Sequence, residues 1–163
     1  MSLGCAGGFS FDGADLTPTI YQAAAARTLP AALSDRDRLS MLALGVVGEW
    51  AEYEQAANVA TKQEEAGDVL WYIAGLCTVL GVDMAILAGV DLSGMMVVDA
   101  LGDICETTKK HLYHGKDLNR IRILRGCAKL YAVVVAPEAR AEIMAANVAK
   151  LKARWPDGFR VQG

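Results

Sequence analysis

The chain has 163 residues, of which 53% are hydrophobic and 21% charged, with a formal net charge of -3 and a pI near 5.4. This length fits one domain. The acidic balance argues against a nucleic-acid partner, because phosphate neutralisation normally needs a basic excess. Four cysteines without CxxC spacing indicate reduced thiols and a cytoplasmic protein. No apolar run is long enough for a spanning helix, so we expect no membrane partner.

The composition favours an all-α protein, because alanine, leucine and valine dominate the hydrophobic residues and four prolines leave long segments uninterrupted. Residues 1–15 are rich in glycine and small residues, and we interpret them as a flexible N-terminal arm. We expect residues 16–163 to form a single helical bundle. Thr17 followed by Pro18 predicts the start of its first helix, which runs to about Pro30.

Two long helices are predicted next, at about residues 36–58 and 62–80. Ser34 or Asp35 is the expected cap of the first, and Gly81 is a natural residue to end the second. Each helix carries a pair of acids three residues apart, and the four acids are Glu49, Glu52, Glu65 and Asp68.

The spacing of each pair brings its two acids onto one helical face, in line with the apolar stripe of that helix. An unpaired carboxylate that faces a core is costly, or its pKa shifts until the group neutralises. Four such groups together therefore need a cation. An isolated ExxE pair is more simply interpreted as a solvated charged face, but two pairs that coincide with apolar stripes favour a metal site.

The remainder of the chain predicts a short helical turn and three further helices. The turn lies near residues 84–88, and the helices lie at about residues 93–114, 118–135 and 137–155. Proline disfavours helical geometry in its predecessor, so Pro137 separates the last two.

Two stretches of the chain echo one another, at about residues 43–80 and 100–135. The second stretch has lost the later acids. We therefore interpret the domain as two related helical hairpins, of which the first keeps the metal ligands and the second mainly completes the bundle.

Oxygen-only ligation by four carboxylates suits a hard divalent ion, Mg²⁺ or Mn²⁺, and offers none of the histidine or thiolate ligands that zinc prefers. Such a magnesium site keeps several waters and usually meets substrate phosphates, which indicates phosphate chemistry. A di-iron carboxylate bundle is the nearest rival. It requires Glu-x-x-His motifs, and neither His111 nor His114 has a glutamate three residues before it.

The arrangement Gly48-Glu49-x-x-Glu52, a connector and Glu65-x-Gly67-Asp68 resembles the signature of the MazG-like nucleoside triphosphate pyrophosphohydrolases. These belong to the all-α superfamily that includes the dimeric dUTPases. Residues 21–28 resemble the first helix of the family, and residues 147–159 resemble its C-terminal segment.

This resemblance implies hydrolysis of the α–β anhydride of a nucleoside triphosphate to the monophosphate and pyrophosphate. The implied biological role is nucleotide-pool house-cleaning. The resemblance also implies a homodimer and a Mg²⁺ ion held by Glu49, Glu52, Glu65 and Asp68. The long stretch of residues 85–140 departs from compact members of the family and puts their subunit arrangement in doubt. If the repeat is real, one chain supplies the whole bundle, but we still expect a homodimer.

The expected substrate-binding residues are Asn147, Lys150, Arg154, Lys62 and Lys110. The first three share one face of a helix, where a solvated basic strip would look the same; given the resemblance, Lys150 and Arg154 become phosphate clamps.

Glu64, or one of the metal ligands acting through bound water, is the candidate general base. The alternative to an enzyme is a nucleotide- or metal-binding regulatory module of the same fold that has lost catalytic activity.

Overall fold

The computed structural model describes residues 16–157, and all of their regular structure is helical, which confirms the predicted all-α bundle. The predicted arm at residues 1–15 lies outside the described residues, as do residues 158–163 at the end of the predicted C-terminal segment. The α-helices are α1 (Pro18–Ala26), α2 (Asp35–Gln55), α3 (Val59–Leu80), α4 (Val97–His114), α5 (Arg120–Val134) and α6 (Arg140–Arg154). Short 3-10 helices lie at Met84–Gly89 and Pro137–Ala139.

Side-chain caps set most of the helix starts. The Thr17 hydroxyl accepts a hydrogen bond from the backbone N–H of Ile20, with Pro18 in the first turn, as predicted. Ser34 caps α2, which confirms one of the two expected caps. Asn58 caps α3 by accepting from the N–H of Thr61 at 2.9 Å. This cap explains why α3 begins earlier than predicted.

Helix α3 lies at the centre of the fold. Ten of its 22 residues are buried, and it packs against α1, α2, α5 and α6. It ends at Gly81, whose φ of 64° is the left-handed conformation expected of a C-terminal glycine. Because four other α-helices pack on α3, the acids on this helix are held from several sides.

The helices pair as two hairpins, α2 with α3 and α4 with α5. The hairpins then pack on each other, α2 against α4 and α3 against α5, while α1 and α6 cover the remaining side of α3. Two stacked hairpins are the arrangement that the internal repeat requires. Their common origin stays a prediction.

Glycines allow the closest approaches between helices. A Cβ atom on Gly126 of α5 would lie 2.7 Å from the backbone oxygen of Ala100 and 2.8 Å from the Ile104 side chain of α4. A Cβ atom added to Gly102 of α4 would have no atom within 4 Å. The second hairpin therefore packs with backbone contact at Gly126.

Two further predictions concern the environment of the chain. Among residues 16–157, no helix has both the length and the apolar character that a bilayer crossing requires. The cysteines in this part of the chain, Cys77, Cys105 and Cys127, are free thiols, as expected.

Replacing Gly126 by alanine tests the packing of the second hairpin. The added methyl group meets backbone that cannot rotate away, so we expect Gly126→Ala to lower the free energy of unfolding by about 1–3 kcal/mol. The matched control, Gly102→Ala, adds a methyl in open space and should raise it by about 0.5–1 kcal/mol. Urea denaturation of both variants measures the difference. Equal effects of the two substitutions would contradict this packing.

Candidate metal centre

Three of the four predicted ligands converge between α2 and α3. Glu49 comes from α2, and Glu65 and Asp68 come from successive turns of α3. One carboxylate oxygen from each residue lies within 4.8 Å of the corresponding oxygens of the other two, and all three residues are partly buried. Helix pairing thus brings together acids that the sequence separates by up to 19 positions, since the residue numbers run from 49 to 68.

Glu52 lies differently from the sequence expectation. It is exposed and outside this group of three. Three residues cover less than one helical turn, so Glu52 is rotated by about 60° from Glu49 around α2, toward solvent. Its charge still raises the pKa of both Glu49 and Glu65, which places it at the rim of the cluster. Its role as a ligand stays a prediction.

Helix α6 supplies the partners of Asp68. The Lys150 ammonium lies 2.6 Å from Asp68 Oδ2, and the Asn147 amide donates a hydrogen bond to Asp68 Oδ1 at 2.9 Å. Each carboxylate oxygen of Asp68 therefore has a protein donor. The orientation of this carboxylate is set by the packing of α6 on α3.

A buried tyrosine holds the Asn147 side chain by a hydrogen bond. The Tyr21 hydroxyl of α1 donates to Asn147 Oδ1 at 2.8 Å and lies 3.3 Å from the carbonyl oxygen of Gly67. Tyr21 is fully buried, and Asn147 is 4% exposed. Asn147, predicted as a substrate-binding residue, is thus placed to orient Asp68. Sequence reasoning missed Tyr21 as a site residue, because an aromatic residue on a short apolar helix gives no sign of a polar partner.

Burial and the charges of neighbouring acids raise the pKa of Glu49 and of Glu65. Burial raises the pKa of Glu49 to about 7, and the charges of Asp68, Glu52 and Glu65 add to the effect, while Lys150 opposes it. Burial also raises the pKa of Glu65, with Asp68 contributing next. Glu49 and Glu65 therefore retain their protons more readily than free glutamic acids do.

Lys150 stays a cation in this environment. Burial acts to lower its pKa, but the hydrogen bonds and charges of Asp68 and Glu64 outweigh that effect and raise the pKa above its ordinary value. The Glu64 carboxylate is exposed and lies 3.2 Å from the Lys150 ammonium. Glu64, a candidate general base, thus shares its lysine with Asp68.

The other predicted substrate-binding residues lie elsewhere. Lys62 packs its ammonium over the Tyr53 ring, 4.5 Å from the ring centroid. The exposed Arg154 guanidinium lies 5.5 Å from the centroid of Trp155. Lys110 pairs with Glu106 on its own helix at 3.3 Å. None of these three cations shows a contact with the carboxylates of the cluster in the described part of the chain.

The acids of the second hairpin are neutralised by the chain itself. In the internal repeat, Asp103 and Glu106 correspond to Glu49 and Glu52. Arg122 Nε lies 2.6 Å from an Asp103 oxygen, and Glu106 pairs with Lys109 as well as Lys110. These acids are satisfied by ion pairs, so the candidate metal centre belongs to the first hairpin alone.

A cleft adjoins the cluster between α3 and α6. Its volume is about 310 Å³, and its walls include Glu64, Gly67, Asn147 and Lys150. Lys150 therefore lies between the cleft and the carboxylates. Its ammonium donates a hydrogen bond to Asp68, and its side chain forms part of the cleft wall.

Comparisons of the chain with protein family models, with curated proteins and with solved structures found no match. The function is therefore inferred from the geometry of the three acids and from the motif resemblance. The donor set consists of carboxylate oxygens on rigid helices, which suits a hard divalent cation.

The pKa of Glu49 predicts the pH dependence of the metal-free protein. Its folded-state pKa of about 7 exceeds its ordinary value of 4.5, so the folded protein binds more protons between these values than the unfolded chain does. We expect the free energy of unfolding, measured in chelator, to fall as the pH rises through this range. Glu49→Gln should remove most of this dependence, and Glu54→Gln, on the exposed side of α2, should keep it. An unchanged pH profile in Glu49→Gln would contradict the assigned environment.

Removal of the Tyr21 hydroxyl tests the support of Asp68. Tyr21→Phe leaves the buried Asn147 oxygen without a donor, so we expect a loss of about 1–2 kcal/mol in stability. Because Asn147 orients Asp68, the Mg²⁺ affinity measured by calorimetry should also weaken about 10-fold. Tyr113→Phe, at a tyrosine that is 67% exposed, is the control. If Tyr21→Phe bound Mg²⁺ as tightly as this control, the positioning role would be wrong.

Proposed function

We propose that this chain is a Mg²⁺-dependent nucleoside triphosphate pyrophosphohydrolase, which cleaves the α–β anhydride and releases the monophosphate and pyrophosphate. The observation that supports the proposal is the convergence of Glu49, Glu65 and Asp68 within 4.8 Å. The negative charges of acids held this close repel one another, and a divalent cation relieves that repulsion.

The residues present fit such a cation. The three carboxylates offer oxygen ligands, and Glu52 lies at the rim as a further one. Mg²⁺ prefers this donor set, and Mn²⁺ accepts it. When bound, the ion supplies charge neutralisation for phosphate oxygens and a lower pKa for a bound water.

The chain itself orients the site and binds the anion. Asn147, held by Tyr21, fixes the orientation of Asp68. Lys150 presents a protonated ammonium at the edge of the cleft, where it suits a phosphate oxygen. Glu64 lies beside it in an exposed position and is the candidate to accept a proton from the attacking water.

We further propose that the protein is a cytoplasmic homodimer that removes surplus or non-standard nucleotides. The outer face of α2 carries Leu44, which is 68% exposed, next to the exposed small residues Gly48 and Ala51. We propose this strip of α2 as the contact with a second copy. The free thiols of the core suit a reducing compartment.

A second candidate function is a regulatory module that binds metal or nucleotide without turnover. The observation that favours it is the state of Asp68, whose two oxygens both accept hydrogen bonds from α6. Metal-dependent thermal stabilisation by nucleotides in the absence of hydrolysis would identify this module.

Pyrophosphate release from a panel of canonical, deoxy and oxidised nucleoside triphosphates tests the enzymatic function. We expect activity that requires Mg²⁺ and falls at least about 100-fold in Asp68→Asn, because a ligand of the ion is lost. Glu106→Gln changes an acid of the second hairpin that is paired with lysines, and it should keep full activity. Circular dichroism confirms folding of both variants. Asp68→Asn turnover at the wild-type rate would refute the site.

A further inference from the structure

Lys150 occupies the position of a counter-ion within the acid cluster. Its ammonium lies 2.6 Å from Asp68 Oδ2 and 3.2 Å from Glu64 Oε1, and its charge acts against the raised pKa of Glu49 and Glu65. The side chain is 33% exposed, so this ion pair is partly shielded from water. A single lysine therefore compensates part of the charge that three converging carboxylates create.

The ion pair between Lys150 and Asp68 competes with a divalent cation for Asp68. A cation shared by the three carboxylates needs an oxygen of Asp68, and both of those oxygens already accept from α6. An ammonium and a divalent ion on one carboxylate repel each other strongly in a site of reduced dielectric. Each oxygen of Asp68 keeps a second lone pair, so the neutral Asn147 amide can stay beside the ion, whereas the charged Lys150 ammonium is repelled by it.

Lys150 is the donor that can move. Asn147 is buried, is anchored by the Tyr21 hydroxyl and packs against Gly67, where a Cβ atom would lie 3.0 Å from the Asn147 Cβ. Lys150 instead carries its charge on a flexible four-carbon stem at the wall of an open cleft. Its ammonium can leave Asp68 without any movement of the backbone.

We propose that Lys150 is an exchangeable counter-ion of the acid cluster, which releases Asp68 when a divalent cation binds and then presents its ammonium to the cleft. This inference rests on the metal centre of the proposed function and adds an order of events. The metal-free protein keeps the lysine on Asp68, and metal binding makes the lysine available to a polyphosphate. The lysine thus couples the two binding steps.

The sign of the effect on metal affinity separates this role from a merely structural one. A lysine that only supported the site would weaken Mg²⁺ binding when removed. A lysine that competes with the ion does the opposite, so we expect Lys150→Met to bind Mg²⁺ about 10-fold more tightly than the wild type in calorimetry without nucleotide. Lys109→Met removes another lysine that pairs with a helix glutamate, and it should leave the affinity unchanged.

The reactivity of the lysine amine tests its release. An amine paired with Asp68 and Glu64 acetylates slowly, and a released amine acetylates faster. We expect Mg²⁺ alone to accelerate acetylation of Lys150 in the intact protein at least about threefold, because the released amine is no longer held in hydrogen bonds to two carboxylates. Peptide mass spectrometry measures the rate. The rate at Lys109 is the internal control. An unchanged or slower rate at Lys150 with Mg²⁺ bound would overturn the inference, as would weaker Mg²⁺ binding by Lys150→Met.

These outcomes are distinguishable from the failure of the proposed function. Mg²⁺ binding and lysine release without pyrophosphate production would overturn the enzymatic function and leave the exchange intact. Pyrophosphate production with an unreactive Lys150 would overturn the exchange alone. Absence of Mg²⁺ binding in calorimetry would overturn both.

Discussion

Mutual repulsion among carboxylates on facing helices is the constraint on which the account of this protein depends. Glu49, Glu65 and Asp68 bring their oxygens within 4.8 Å of one another in a partly buried site, and Lys150 supplies a single compensating charge. Burial raises the pKa of Glu49, and the charges of the neighbouring acids add to the rise. Stability alone does not favour this arrangement, because buried acids destabilise a bundle unless a partner joins them. Three elements of the fold, α1, α3 and α6, nevertheless hold Asp68 in place.

The two hairpins of the bundle differ in whether their acids are paired with cations of the chain. In the second hairpin, Asp103 pairs with Arg122, and Glu106 pairs with neighbouring lysines. These are ordinary ion pairs of a helical surface, and they leave no group of acids short of a cation. In the first hairpin the acids outnumber the cation beside them. The contrast within one chain supports a binding role for the first hairpin.

Local chemistry made the helices predictable, and long-range packing limited the prediction of the site. Thr17, Pro18 and Gly81 act within one turn of their own helix, so sequence reasoning identified them as boundaries, whereas the capping role of Asn58 was overlooked. The convergence of Glu49 with Glu65 was predicted because helical spacing and apolar stripes define which face is inward. Glu52 shows the limit of that reasoning, since an i, i+3 neighbour of an inward residue can still lie in water. The hydrogen bond from Tyr21 to Asn147 joins residues that are 126 positions apart, and no periodic pattern in the sequence predicts it.

A crystal grown with Mn²⁺ tests the central claim most directly, because the anomalous signal locates the ion without any assumption about activity. We predict a peak within bonding distance of Glu49, Glu65 and Asp68, with the Lys150 ammonium turned away from Asp68 toward the cleft. Carboxylates splayed into solvent, with no ion among them at saturating Mn²⁺, would contradict it.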